Sequence, residues 1–437
     1  MPDFIEPRIL KGFRDFLPPA EIARRNLVEK IEASFRSYGF VPIDTPALEY
    51  SDILLGKGGG ETEKQIYRFR DNGDRDVALR FDLTVPFARF LAEHRANITF
   101  PFKRYHIAKV WRGENTQRGR YREFTQCDFD TVGSDSAAVD FEILHMMQKN
   151  LPEICGGDVI IRFNHRGLFN RYLSRLGVLD SSADILRTVD KLAKIGRDET
   201  LCLLSEFVGN DKAAEIIGYV GLSGTFEETF GAMTSAAGSG PESEQLDLIW
   251  RYMNDAGIAG SFILDPSITR GLDYYTGVVF ESFMTEMIDI GSICSGGHYD
   301  NLVGLYTKNK NNQENLSGVG ASIGIDRLIA ALEALGRLGT EQSYARTAIA
   351  CMDKASGGKY QALADILRKV GIPCEVFLDE EKITKQFQRA EKKGLTWLII
   401  PGSEDSTHGA LTLRDLAKRE SREGLKIEEI VSILKKQ

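Results

Sequence analysis

Four runs in the first third of the chain, KQIYRFRD, DVALRFD, RYHIAKVWR and FTQCDFDTVG, alternate apolar and polar residues with a period of two. Successive side chains of a strand point to opposite faces, so runs of this kind are half-buried strands, and the turns between them favour antiparallel neighbours. The four are expected to form one antiparallel sheet, each placing its polar residues on a single face. Ahead of them, Glu21–Tyr38 carries apolar residues at helical spacing (Ile22, Leu27, Val28, Ile31, Phe35) and stops at Gly39. A strand is expected over Phe40–Ile43, closed by Pro42 and Pro46.

From about Asn164 to Ile249 the pattern turns helical, in RGLFNRYLSRLG, ADILRTVDKLAKIG, DETLCLLSEFVG and DKAAEIIGYVG, bounded by the Gly/Ser-rich AAGSGPESE. This block reads as an insertion, because strands return after it in SFILDPSIT, TGVVFESF and GSICSGG, followed by a helix in IGIDRLIAALEALG. Beyond the polar segment RLGTEQSYAR, strand-like and helix-like runs alternate to the end of the chain, which implies a small α/β unit with a largely parallel sheet. The expected organisation is an α+β core on an antiparallel sheet over residues 1–165 and 250–333. It is completed by a helical insertion over 166–249, a linker over 334–345 and an α/β unit over 346–437.

Across 437 residues, 42% hydrophobic and 27% charged content suits a soluble globular protein with a large core. The amino terminus lacks a basic-then-apolar signal pattern, and no uncharged apolar run reaches the roughly 18 residues that would span a bilayer, so a cytoplasmic location without a membrane partner is expected. The six cysteines are scattered, with no C-x-x-C pair and no zinc-type spacing with the six histidines, and read as reduced, mostly core residues. A net charge of −8 argues against bulk electrostatic binding of nucleic acid unless positive charge is clustered. Clusters exist: residues 346–437 hold 17 Lys/Arg against 14 Asp/Glu, hence +3, which leaves −11 for the remainder, and Lys103–Arg122 holds seven Lys/Arg against Glu114.

Three strings carry residue types suited to chemistry. In RGENTQRGRYREFTQ, Arg112 to Gln126, two strand-like runs flank a loop, and the planar, always charged guanidinium groups of Arg112 and Arg120 could clamp a triphosphate. Alone, the same string would serve equally as a solvated hairpin with surface ion pairs. In RGLDYYTGVVFE, Arg270 to Glu281, an arginine, a glycine and two tyrosines could line a pocket for a small polar substrate. In GVGASIGIDRL, Gly318 to Leu328, glycines suit a strand packed closely under a ligand, and Arg327 opens the following helix.

Taken in order, these strings resemble the motifs of class II aminoacyl-tRNA synthetases: GFVPIDTP (Gly39–Pro46) is similar to motif 1, Arg112–Gln126 to motif 2 and Gly318–Leu328 to motif 3. RGLDYYTGVVFE and GSICSGGHYDNL (Gly291–Leu302) are similar to the two signatures of the histidyl-tRNA synthetase family. His298 stands where that glycine-rich signature often reads Arg, in S-G-G-R-Y-D.

The resemblance implies an enzyme that activates L-histidine with ATP and Mg²⁺ to histidyl-adenylate and pyrophosphate, then transfers histidine to the 3′ end of tRNA(His). It implies a homodimer through motif 1, a class II catalytic core, and a C-terminal anticodon-binding domain. Carried over to this sequence, Arg112 and Arg270 are the catalytic arginines at the α-phosphate, while Arg112, Glu114, Arg120 and Arg327 bind ATP. Asp82, Thr84 and Gln126 receive the amino group of histidine, Asp130 and Tyr275, with Tyr274 alongside, address the ring nitrogens, and Leu83, Arg112 and Arg270 complete the histidine-binding set. Some family members carry Glu at positions 82 and 130, so the Asp pair marks a variant pocket. The resemblance leaves metal ligands unassigned. The rival reading, a catalytically inactive regulatory paralogue of ATP phosphoribosyltransferase, typically lacks the C-terminal domain and degrades the signature strings, both of which stand here. Another class II synthetase is disfavoured by RGLDYYTG, and a histidine-sensing domain of a stress kinase by the absence of a kinase signature.

Overall fold

The computed structural model describes residues 4–56, 61–269, 275–300, 303–306, 316–402 and 410–436. The chain divides into two compact units, one of Met1–Arg14 with Leu27–Arg337 and one of Asp15–Asn26 with Leu338–Gln437.

In chain order, helix α1 (Pro18–Ser37) precedes strands β1 (Val41–Pro42) and β2 (Leu48–Tyr50), short helices α2 (Ser51–Leu55) and α3 (Glu61–Gln65), and strands β3 (Arg68–Arg70) and β4 (Asp76–Leu79). Helix α4 (Thr84–His94) leads to two long strands, β5 (Phe102–Trp111) and β6 (Glu123–Val132), then to α5 (Ala137–Cys155) and β7 (Val159–His165). Seven helices follow: α6 (Arg166–Arg175), α7 (Ser182–Val189), α8 (Leu192–Ile195), α9 (Arg197–Val208), α10 (Asn210–Val220), α11 (Phe226–Ala237) and α12 (Pro241–Asp255). The first unit closes with β8 (Phe262–Leu264), β9 (Val278–Met284), β10 (Cys294–Tyr299), β11 (Gly318–Gly324) and α13 (Ile325–Ala334).

Eight of these strands form one sheet in the order β1-β5-β6-β11-β10-β9-β7-β8. Its interior pairings are antiparallel, and only β1 with β5 and β7 with β8 run parallel, at the two edges. The runs KQIYRFRD and DVALRFD do not join it. They supply β3 and β4 of a separate three-stranded sheet, β2-β4-β3, in which β4 has a partner on each side. A period of two identifies a strand and not its neighbour, so the sequence could not distinguish the two sheets.

Alternation along β6 sorts its residues between the faces. Cys127 and Phe129 turn toward the helices, where the Phe129 ring lies 4.8 Å from Phe35 of α1 and 6.1 Å from Phe40. Gln126, Asp128 and Asp130 turn to the opposite face, the one that carries the site described below, in register with Gly324, Ser322 and Gly320 of β11. Helix ends follow their sequence signals: Thr225 and Glu228 make a reciprocal capping box at α11, and His165 caps α6 by accepting the backbone N–H groups of Gly167 and Leu168 at 3.1 and 3.4 Å. Among the described residues no helix is long and apolar enough to cross a membrane. All six cysteines are unbridged, five buried and Cys202 exposed.

The second unit contains β12 (Thr347–Ile349), α14 (Gly357–Lys369), β13 (Cys374–Val376), α15 (Ile383–Lys392), β14 (Trp397–Pro401), β15 (Leu411–Asp415), β16 (Glu420–Leu425) and α16 (Ile427–Leu434). Its five strands run β13-β12-β14-β15-β16. Helices α14 and α15 supply the crossovers that make β12 parallel to β13 and β14. The pairings of β14 with β15 and of β15 with β16 are antiparallel, because their short connections leave no room for a crossover helix. The sheet is therefore mixed where the sequence suggested a mainly parallel one.

Phe129 is 1% exposed between two aromatic rings. Phe129→Ala is expected to cost about 3–5 kcal/mol of stability, measurable as a lowered urea midpoint.

Candidate active site

Gln126 and Asp130 stand on β6, Arg112 directly follows β5, and Asp82, Leu83 and Thr84 lie at or just before the start of α4. Asp82 is 1% exposed just before α4, and one of its oxygens accepts the Val85 N–H at 3.0 Å. Its Oδ2 has no hydrogen-bond partner. Burial pushes its pKa up to about 6, against the opposing pull of the Val85 N–H and the guanidinium groups of Arg112 and Arg104. Leu83 and Thr84 beside it are buried.

Arg112 leaves the end of β5 and donates from Nε to the carbonyl of Phe81 at 2.9 Å, which ties the arginine to the segment carrying Asp82. Its guanidinium also lies 5.2 Å from the centre of the Phe124 ring. In the β5–β6 loop, Glu114 faces Arg120 at 3.4 Å and Arg112 at 3.9 Å. The tip of this loop rests on the start of α13: a Cβ at Gly119 would stand 3.1 Å from the Arg327 Cα, which brings Arg120 and Arg327 to one end of the sheet. Arg327 donates to the Ser292 carbonyl, and neighbouring Asp326 accepts the Thr125 N–H at 2.8 Å and pairs with Arg14.

Gln126 donates from Nε2 to the Ser322 hydroxyl at 2.8 Å. Asp130, two turns of the pleat further along, approaches the wholly buried guanidinium of Arg104 at 2.6 Å and accepts the Tyr299 hydroxyl at 3.0 Å. Two glycines make room for this arrangement. A Cβ at Gly320 would stand 2.1 Å from Asp130 Oδ1, and one at Gly297 would stand 2.9 Å from the Tyr275 ring, so Asp130 and Tyr275 each lie across a glycine of neighbouring strands. Arg270 and Tyr274 lie outside the described residues.

The sequence reading did not single out Arg104, Tyr299 or Asp128. Asp128 had a signal, its parity with Gln126 and Asp130 along β6. Arg104 had none, because an arginine in an alternating strand ordinarily reads as a solvent-facing residue. Asp128 is 2% exposed and its Oδ1 is unpartnered. Burial, the largest effect, pushes its carboxyl up to about 7; neighbouring Asp130 adds to the rise, while Arg104 and Ser322 oppose it.

Asp82, Asp128 and Asp130 share a small buried volume with one wholly buried arginine, and burial raises the pKa of each carboxyl, to about 6 for Asp82 and about 7 for Asp128. A carboxyl raised in the folded state favours folding while it is protonated and loses that contribution as pH rises from the unfolded value through the folded one. Asp128→Asn without ligand should therefore match the parent near pH 4 and become the more stable protein by roughly 1–4 kcal/mol above pH 7. Paired urea titrations across that range measure it, and equal stability at both ends would contradict the buried-carboxyl assignment.

The family model for histidyl-tRNA synthetase matches residues 12–328, and that for an anticodon binding domain matches residues 347–437. The chain is 52% identical to a histidine–tRNA ligase of Treponema denticola, over 91% of this chain and 89% of that one. It is 48% identical to the histidine–tRNA ligase of Treponema pallidum, over 95% of each chain. Among solved structures, the histidyl-tRNA synthetase of Nostoc superposes with a TM-score of 0.86 at 29% identity, covering 99% of this chain and 100% of that one. A Bacillus halodurans structure described as an ATP phosphoribosyltransferase regulatory subunit/histidyl-tRNA synthetase shares the fold, with a TM-score of 0.72 at 19% identity over 89% of this chain and 96% of that one. With both parts of the chain matched and the polar face of its sheet built as described, this protein belongs to the histidyl-tRNA synthetase family.

Proposed function

We propose that this chain is a histidine–tRNA ligase: it joins L-histidine to ATP as histidyl-adenylate, releasing pyrophosphate, and passes the histidyl group to the 3′ end of tRNA(His). The observation that carries this reading is the pairing of Asp130 over Gly320 with Tyr275 over Gly297, a carboxylate and a phenol on one glycine floor. Such a pair suits the two nitrogens of an imidazole. An apolar amino acid offers these two groups no hydrogen bond, which supports selectivity without an editing site.

In this reading Asp82, Leu83, Thr84 and Gln126 surround the ammonium group, and the unpartnered oxygens of Asp82 and Gln126 are the acceptors it would fill. The histidine carboxylate attacks the α-phosphate, forming the new C–O–P bond as the bond to the pyrophosphate oxygen breaks. Arg112 steadies the negative charge growing at phosphorus, with Arg270 on the opposite side and Tyr274 flanking the ring. Arg327 lies against the adenine and near the γ-phosphate, while Arg120 and Glu114 fix the bent triphosphate and the adenine edge. No covalent enzyme intermediate is needed, so catalysis is positioning and electrostatic stabilisation. Mg²⁺ would accompany ATP and help to neutralise the charge of its phosphates.

Residues 1–165 and 250–333 form the catalytic core, joined by the linker 334–345 to the anticodon-binding domain of 346–437, and the helical insertion 166–249 approaches the acceptor stem. The protein acts as a cytoplasmic homodimer. Val41, Leu48, Tyr50 and Phe69 support a dimer face, being 39–53% exposed on β1, β2 and β3 near motif 1, apolar surface suited to a second copy.

Histidine-dependent ATP–pyrophosphate exchange, run with all twenty amino acids separately, tests the reading: exchange should appear with histidine alone. Arg112→Ala and Arg270→Ala should each reduce it by at least about 100-fold, and chelation of Mg²⁺ should abolish it. Exchange with another amino acid would overturn the pocket assignment, and none from folded protein would favour the regulatory paralogue. Analytical ultracentrifugation should find twice the chain mass, with Tyr50→Glu shifting the protein toward monomer.

A further inference from the structure

Behind the glycine floor, on the helix-facing side of β10, sits a charged residue that the reaction scheme above does not use. His298 alternates with Gly297 and Tyr299, so its ring points away from the site face. Its Nδ1 is 2.8 Å from Asp140 Oδ1 on α5, and its Nε2 is 3.1 Å from Asp300 Oδ1 and 2.8 Å from the Ser317 hydroxyl. A neutral imidazole has one N–H, which would leave its other nitrogen pressing a lone pair against a carboxylate. With an aspartate at each nitrogen, the ring is an imidazolium. It keeps a positive charge at the position where the family signature often has arginine.

The network beyond His298 has one consistent direction. Asp140, wholly buried, accepts from Gln245 Nε2 of α12 at 2.6 Å, and Gln245 Oε1 stands 3.1 Å from His165 Nε2. Because His165 Nδ1 accepts the backbone N–H groups that open α6, its proton is on Nε2 and donates to Gln245. Along this chain the His165 Nε2–H donates to Gln245 Oε1, and Gln245 Nε2 donates to Asp140 Oδ2.

His298 also holds the segment that runs from Tyr275 into β9. Its carbonyl accepts the N–H of Thr276 at 2.8 Å and that of Gly277 at 3.3 Å, and a Cβ on Gly277 would meet the His298 Cβ at 2.9 Å. Thr276 directly follows Tyr275, whose ring rests on Gly297, the residue before His298.

We propose that His298, as an imidazolium clamped between Asp140 and Asp300, is a positioning residue that sets Tyr275 over the glycine floor for recognition of the histidine ring. The proposal rests on the assignment of Tyr275 to that ring. The electrostatics agree with the geometry: burial, the largest single effect, favours the neutral ring, yet the two aspartates together raise the pKa to about 10, and Asp300 is lowered to about 2. The other titratable neighbour, His165, is lowered by burial and by this charge.

The test is pyrophosphate exchange with four purified full-length variants. His298→Gln should raise KM for histidine by about 10–100-fold, with KM for ATP little changed, and His298→Arg should recover most of the loss. Tyr275→Phe should raise KM for histidine, and adding His298→Gln to it should raise KM by less than about threefold more, since both changes act through one contact. Should His298→Gln not fold, Asp300→Asn, at a half-exposed position, should show the same KM rise in smaller measure. An unchanged KM for histidine in Tyr275→Phe would remove the pocket assignment and the proposal with it. If Tyr275→Phe does raise KM, full multiplication in the double variant, an equal rise in KM for ATP, or no recovery with arginine would overturn the positioning role alone.

Discussion

The carboxyl groups of Asp82, Asp128 and Asp130 are all withdrawn from water beside the wholly buried guanidinium of Arg104. Removing charge from water is costly unless opposite charge and hydrogen bonds replace the lost hydration. Arg104 answers Asp130 directly at 2.6 Å, Tyr299 supplies a hydroxyl, and Phe87 lies 4.1 Å beneath the guanidinium. Asp82 and Asp128 each keep an oxygen without a partner. The site is thus built with an excess of buried acid, and a cation is what relieves it. Under the proposed function an amino acid brings an ammonium group, and the same imbalance would become affinity for it. The glycine floor, the register of β6 with β11 and the tie from Arg112 to Phe81 can each be read as keeping these groups close.

Much of this was legible in the sequence where the information is local. The alternation of FTQCDFDTVG shows which residues of β6 share a face, and hence that Gln126 and Asp130 lie on the same one. The helical block from Asn164, the return of strands and the separate final unit all follow from changes in apolar period. Partner choice was not legible. β4 pairs with β2 and β3 and not with β5, although its run looks like that of any half-buried strand. In the final unit, connection length decided parallel against antiparallel, and β16 was missed because ESREGL is exposed along nearly its whole length and has no apolar period.

Within the site, the residues found through motif resemblance (Asp82, Thr84, Arg112, Gln126, Asp130, Arg327) stand on the elements that form the polar face and its rim. Those missed are of a different kind. Arg104 is recognisable only once Asp130 faces it. Asp140 of α5 meets His298 directly, Gln245 of α12 and His165 of β7 join it in turn through Asp140, and no local pattern encodes such a meeting. His298 itself was visible as a departure from the signature, but its charge state became readable only from the aspartates on either side of it.

The glycine floor has a consequence for how such a pocket can change over generations. Its volume is defined by missing atoms at Gly297 and Gly320, where any side chain would collide with Tyr275 or Asp130. Substitution at these positions moves in one direction, toward a smaller or blocked cavity, and never toward a roomier one. Under the proposed function, drift toward a different amino acid would therefore begin at the walls, with the carboxylates and the phenol, while the floor stays bare. The floor would then work as a ratchet that protects the size of the substrate and leaves its chemistry open to variation.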